Sequence, residues 1–251
     1  MTLPKIDTPI YELDLPLSKT HIKFRPFLVR EQKMLLIAME SDDKEDIERN
    51  IRQVLANCTL TEGLDIDRLP ILDVEFYFIN LRARSVGEIV ENKYRCENKV
   101  PAGPEEPFES GQISCNNLMD VSVNLLDIKP ETDKLPDAEI KITPQITVKM
   151  KYPEFSVLER AAKFESTTDM AFDMIIESIE AIWDGEQWYY AKDSEPGEMV
   201  EFVENLNRDQ FAKIEAFFSN LPKLEKKINV TCGKCGFAHT IEVEGLQNFF
   251  G

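Results

Sequence analysis

An α+β fold is expected of this chain, with helical groups and small antiparallel strand hairpins. Three observations point there. Apolar residues recur at helical spacing in several stretches of ten residues or more. Short alternating segments lie between those stretches rather than before or after them. No repeat of solenoid length appears along the 251 residues, which are enough for a sizeable core.

Residues 1–20 carry Pro4, Pro9 and Pro16 and read as an extended arm. In 21–28, His21, Lys23 and Arg25 alternate with Ile22 and Phe24, a short strand that Pro26 ends or places at an edge. Residues 29–41 form a helix with Met34, Leu35, Ala38 and Met39 on one face. Asp43 is placed to cap a second helix bearing Ile47, Ile51, Val54, Leu55 and Cys58 on one stripe. Cys58 on that stripe reads as a small buried hydrophobe. A third helix over 70–84 has Pro70 at its start and a wide apolar face (Leu72, Val74, Phe76, Phe78, Ile79, Leu81, Ala83), so it should be central. Gly87 ends it.

Strands are expected at 119–128, where Val121, Val123 and Leu125 alternate, and within 138–150 through Ile140, Ile142, Ile146, Val148 and Met150. Helices are expected at 155–164 and 168–184, the latter with Ala171, Met174, Ile175, Ile179, Ile182 and Trp183. Asp184-Gly185 is a turn before Trp188-Tyr189-Tyr190. Helices at 197–205 and 208–219 follow, the second opened by Asn207 with Gln210 three residues on. Phe211, Ile214, Phe217 and Phe218 line it as core. Residues 228–231 and 240–246 form a last strand pair.

Composition removes several function classes. With 46 acidic and 29 basic residues the net charge is −17, which opposes a phosphate backbone, so no nucleic-acid partner is expected. No apolar run approaches 18 residues, so no membrane span is expected, and the first residues lack the pattern of a secretory signal. Neither GxGxxG, GxxxxGK[ST] nor HExxH occurs, and only His21 and His239 are present. No carboxylate pair stands out as an acid–base couple. No catalytic residue is nominated and no enzyme activity is expected.

The cysteines carry the one distinct chemistry. Five cysteines without a secretory signal argue for metal ligation over a disulfide framework. Cys232-Gly-Lys-Cys235-Gly236 is a knuckle that can set two sulfurs on one tetrahedral ion. The alternation of Thr240 to Val243 argues against a redox CxxC, which opens a helix. Cys96 and Cys115 have the same strand-in, strand-out setting around 18 intervening residues, 97–114, that read as an inserted loop. Segments 93–128 and 227–246 therefore look like diverged copies of one unit, a zinc-ribbon-like element built from two separated cysteine pairs. Cys96, Cys115, Cys232 and Cys235 are the expected ligands of one structural zinc, which four thiolates leave without an open position. His239 is an alternative ligand. The segments expected are 1–92 (arm, strand and helices), 93–150 (first knuckle), 151–226 (helices) and 227–251 (second knuckle).

Three stretches, IKFRPFLVREQKMLLIAMES, FYFINLRARSVGEIVENKYRC and the run from VENLNRD through CGKCG to Phe249-Phe250, resemble the baseplate protein family of T4-type contractile-tailed bacteriophages. Arg25-Pro26-Phe27 with Glu31, and the CxxCG followed by Leu246, carry the likeness. The resemblance implies a baseplate hub subunit or hub assembly protein, without enzyme activity. Its partners would be other phage baseplate and tail proteins or further copies of itself. It would sit in the virion or, during assembly, in the host cytoplasm. Arg25, Phe27 and Glu31 would order the N-terminal region. An alternative from another class is a zinc-ribbon adaptor of a machine such as the transcription apparatus.

Overall fold

The structure is a computed structural model that describes residues 6–40, 44–101, 112–161, 164, 166–195 and 197–244. The described residues form an α+β fold with seven α-helices and small antiparallel hairpins.

Strands β1 (Tyr11–Asp14) and β2 (His21–Phe24) make the first hairpin. Part of the expected arm is therefore folded. Tyr11 and Leu13 turn inward, Glu12 pairs with Lys23 at 2.8 Å, and Leu15 is buried behind them. β2 stops before Arg25-Pro26, with Ile22 and Phe24 buried and His21 and Lys23 exposed. Helices α1 (Val29–Glu40), α2 (Lys44–Cys58) and α3 (Ile71–Ser85) follow. Ile51, Val54, Leu55 and Cys58 bury as the stripe requires, in one core with Leu35 of α1, and Ala38 of α1 is buried too. The Asp43 cap and the Met39 side chain lie outside the described residues.

Helix α3 is central because two faces are used. Val74, Tyr77, Phe78 and Leu81 enter the first core, with the hairpin, α1 and α2. Leu72, Ile79 and Ala83 enter the second. Truncating fully buried Phe78 to alanine should cost about 3–5 kcal/mol. Asp73 is buried on the same helix. Its carboxylate accepts the Leu17 and Ser18 N–H groups at 2.7 and 2.8 Å, which holds that loop to α3 and removes the cost of an unpaired buried charge.

The second core collects two ribbons. One pairs β3 (Ile89–Arg95) with β6 (Leu118–Asn124). Between them β4 (Lys99–Pro101) and β5 (Gln112–Ser114) form a further small hairpin, so the ends of the expected 97–114 loop are paired; 102–111 lie outside the described residues.

The third core holds a four-stranded antiparallel sheet: β7 (Glu139–Lys141), β8 (Thr147–Met150), β9 (Ile179–Trp183) and β10 (Trp188–Tyr190), in order β10-β9-β8-β7. This corrects one expectation. Helix α4 (Ser156–Ala161) is shorter than foreseen, and α5 (Thr167–Glu177) stops at Ser178. Residues 179–183 are strand, not helix. A short apolar run fits either period, and here β8 and β10 supply ladder partners on both sides. Gly185, at φ +104°, makes the β9–β10 turn. Helices α6 (Glu198–Glu204) and α7 (Arg208–Ser219) cover the sheet, and Asn207 and Gln210 form the expected reciprocal cap. The second ribbon, β11 (Glu225–Thr231) with β12 (Ala238–Glu244), joins the second core.

Candidate metal centre

The two ribbons end in knuckles with matching backbone bonds. In the first, Cys96 N–H donates to Asn117 O at 2.8 Å and Asn116 N–H donates back to Cys96 O at 3.0 Å. In the second, Cys232 N–H donates to Phe237 O at 2.9 Å and Gly236 N–H to Cys232 O at 2.8 Å. The flanking pairs correspond too: Arg95 opposite Leu118, and Thr231 opposite Ala238. Each second cysteine is followed by a residue of positive φ, Asn116 at +52° and Gly236 at +72°. An L side chain rarely adopts that region; Gly and Asn are the usual exceptions. The extra residues of the first knuckle leave as the β4–β5 hairpin, closed by Cys115 N–H to Asn98 O at 2.8 Å.

The knuckles face each other. The Sγ atoms of Cys96, Cys115, Cys232 and Cys235 all lie within 4.8 Å of one another, one cluster rather than two separate pairs. Cys96 is 3.6 Å from Cys235, and Cys115 is 3.8 Å from Cys232. Ligand sulfurs at about 2.3 Å from a tetrahedral ion stand about 3.8 Å apart, so the spacing fits shared coordination. It is far from the roughly 2.05 Å of a disulfide, and these four cysteines are free. Cys96, Cys115 and Cys232 are buried and Cys235 is half-buried. Cys58 stands apart in the first core, where burial pushes its thiol up to about 11.

The polar surroundings repeat across the knuckles. Asn98 reaches over from the first to Cys235 Sγ at 3.6 Å, and Asn117 to Cys232 Sγ at 3.5 Å. His239 Nε2 lies 3.1 Å from Cys96 Sγ, its ring held edge-on to Phe237. Electrostatically the pairs differ. The Cys235 and Lys234 N–H groups bring the Cys232 thiol down to about 6. Cys235 is lowered by the Phe237 N–H and then by the Asn98 amide. Burial pushes Cys96 up to about 12. At Cys115 the Asn117 N–H pulls down, but burial and neighbouring thiols outweigh it and the thiol is raised. The N–H groups thus favour negative charge at Cys232 and Cys235, while burial and neighbouring thiols oppose it at Cys96 and Cys115. Four soft sulfur donors suit zinc or iron over hard cations.

Sequence reasoning located these four cysteines but not the three asparagines around them. Their signal was Cys115-Asn116-Asn117, in which asparagine stands where Gly236 follows Cys235.

Among the described residues no helix is long and apolar enough to cross a membrane. Neither a curated protein nor a solved structure matches the chain. One family does match: over residues 8–251, nearly the whole length, the chain belongs to the T4 bacteriophage base plate protein family.

Proposed function

We propose that the chain is a hub subunit or hub assembly factor of the baseplate, acting through protein–protein contacts and fastened internally by one zinc. The observation that carries the reading is the family match over residues 8–251. Membership makes the chain a structural baseplate component of the phage tail, with other tail proteins as its partners. Its place in the hub and its direct contacts are the proposal. An apolar face on α1 supports such contacts: Val29 is 81% exposed, and Leu36 and Ile37, seven and eight positions on, are also more than half exposed.

In this reading Cys96, Cys115, Cys232 and Cys235 hold the zinc as thiolates. Such an ion would tie residue 96 to residue 235 and unite segments 93–150 and 227–251 as one zinc-ribbon-like unit. The ion would supply folding free energy rather than an open coordination position.

The test is co-purification of the tagged chain with tail proteins from infected cells. Hub proteins in the eluate are the expected result; association with none of the tail proteins overturns it. RNA polymerase recovered instead would favour an adaptor.

A further inference from the structure

Asn98 and Asn117 hold equivalent places in the first knuckle. Each is the second residue after a cysteine, Cys96 and Cys115 respectively. Each backbone carbonyl accepts the N–H of the other cysteine: Asn98 O from Cys115 and Asn117 O from Cys96, both at 2.8 Å. These bonds fix where the two side chains start. The side chains then leave their own knuckle. Asn98 Nδ2 reaches Cys235 Sγ at 3.6 Å and Asn117 Nδ2 reaches Cys232 Sγ at 3.5 Å, so both sulfurs of the CxxC receive an amide from the opposite ribbon.

Backbone conformation does not call for asparagine at either position. Asn116 has the positive φ that asparagine tolerates, but residues 98 and 117 do not. In the second knuckle the equivalent positions, second after Cys232 and Cys235, hold Lys234 and Phe237. Lys234 Nζ donates to the Cys115 carbonyl at 3.3 Å, and a phenylalanine side chain has no donor. The donation of side-chain amides to sulfur therefore runs from the first knuckle to the second. A metal-bound thiolate only accepts hydrogen bonds, and an asparagine amide offers two N–H donors that do not titrate. Donors to a ligand atom fix its orientation and temper its charge.

We propose that Asn98 and Asn117 are positioning residues for the metal ion. Their amides hold the Cys235 and Cys232 thiolates in the orientation that shares one ion with Cys96 and Cys115, and they set how strongly those two sulfurs donate to it. The inference rests on the four-cysteine metal reading and adds to it the residues outside the ligand set that tune the ion.

The test loads the full chain with cobalt(II) and compares it with Asn98→Leu and Asn117→Leu. Both variants keep the backbone carbonyl and nearly the side-chain shape but lose the N–H donors. Each should bind cobalt roughly 10–100-fold more weakly in competition with a chelator. The sulfur-to-cobalt charge-transfer band of each should move to longer wavelength, because a sulfur lone pair without its hydrogen bond lies higher in energy. An unmoved band overturns the proposal even where affinity falls, since loosened packing weakens binding without changing the sulfurs. A wild-type chain that takes up no cobalt overturns the metal reading and this inference with it; a wild-type band shared by the variants overturns this inference alone. Where a variant fails to fold, the wild-type chain loaded with a magnetic isotope of cadmium decides. Scalar coupling from cadmium, through sulfur, to the side-chain amide protons of Asn98 and Asn117 is expected, and its absence overturns the proposal.

Discussion

At Glu31 a buried carboxylate is surrounded by its own cations; at the four-cysteine cluster, thiols are surrounded by N–H groups. Glu31 accepts from Arg25 at 3.1 Å, Arg30 at 2.6 Å and the Leu28 N–H at 2.8 Å. Arg25 also donates to Pro26 O and Asn57 O, so the centre joins the end of β2, the start of α1 and the end of α2. These cations sit within six residues of the anion, and burial is compensated locally. The cysteine cluster spans residues 96 to 235, and its backbone N–H groups outweigh the opposing effects only at Cys232 and Cys235. The difference teaches where each centre gets its counter-charge: one is complete from the chain itself, while the other has the donor set of a site completed by a metal.

The largest effect expected from breaking this contrast is at the thiols. Cys232→Ser and Cys115→Ser should each take the zinc content, measured by elemental analysis, from one per chain to none. Retention of metal by either variant would overturn the shared site, since each knuckle would then bind alone. Glu31→Gln comes next. It strands the Arg25 charge, whose side chain is 12% exposed, at an expected cost of about 3–5 kcal/mol in urea unfolding, with zinc content unchanged. The carboxyl of Glu31 lies down at about 2: burial raises it, but the Arg25, Arg30 and Leu28 bonds outweigh that. Its contribution is therefore complete above the ordinary value of 4.5 and disappears as the pH falls from there through about 2.

Both centres were partly legible in the sequence. The CxxCG and the strand-like flanks of each cysteine pair marked the cluster, because ligand spacing and alternation are local properties. Asn98 and Asn117 were not legible, since each bonds a thiol of the other knuckle and nothing local records that approach. Helical stripes on α2, α3 and α7 were readable for the same local reason. Ile179 and Ile182 were misread because the same apolar run serves either period, and only the neighbouring strands decide it. Asp73 and Tyr77 likewise bury on α3 for tertiary reasons. Asp73 meets the 17–18 loop, and Tyr77 meets Thr59, its hydroxyl 3.0 Å away.

A smaller test breaks the likeness between the knuckles themselves. Gly236 at φ +72° has nothing within 4 Å of where a Cβ would stand, so Gly236→Ala meets backbone strain alone. Its expected cost is about 1–2 kcal/mol in chemical unfolding of the metal-bound chain. Asn116 already tolerates φ +52°, and Asn116→Gly should be neutral to within about 0.5 kcal/mol. Equal costs for the two would remove the structural correspondence drawn between these positions.

The smallest effect sharpens the carboxylate side. Glu48 is a half-buried carboxylate that shares its cation: Arg52, 3.3 Å away, also pairs with Asp67 and Glu159. Burial comes first in pushing Glu48 up to about 7; Arg52 pulls the other way, and Glu159, Asp67 and Glu45 add to the rise. The sign is therefore opposite to that at Glu31. Between 4.5 and about 7 the folded chain holds a proton at Glu48 that the unfolded chain has lost, so stability falls as the pH rises through that window. Glu48→Gln should flatten this slope and gain about 1 kcal/mol above pH 7 relative to its effect at acid pH. That is less than the full shift implies, because the substitution also gives up the Arg52 pair. The check is urea unfolding of both chains at several pH values. A variant that loses stability above pH 7, relative to acid pH, would mean that Arg52 serves Glu48 as fully as Arg25 and Arg30 serve Glu31. The contrast between a carboxylate with its own cations and one that must share would then be lost.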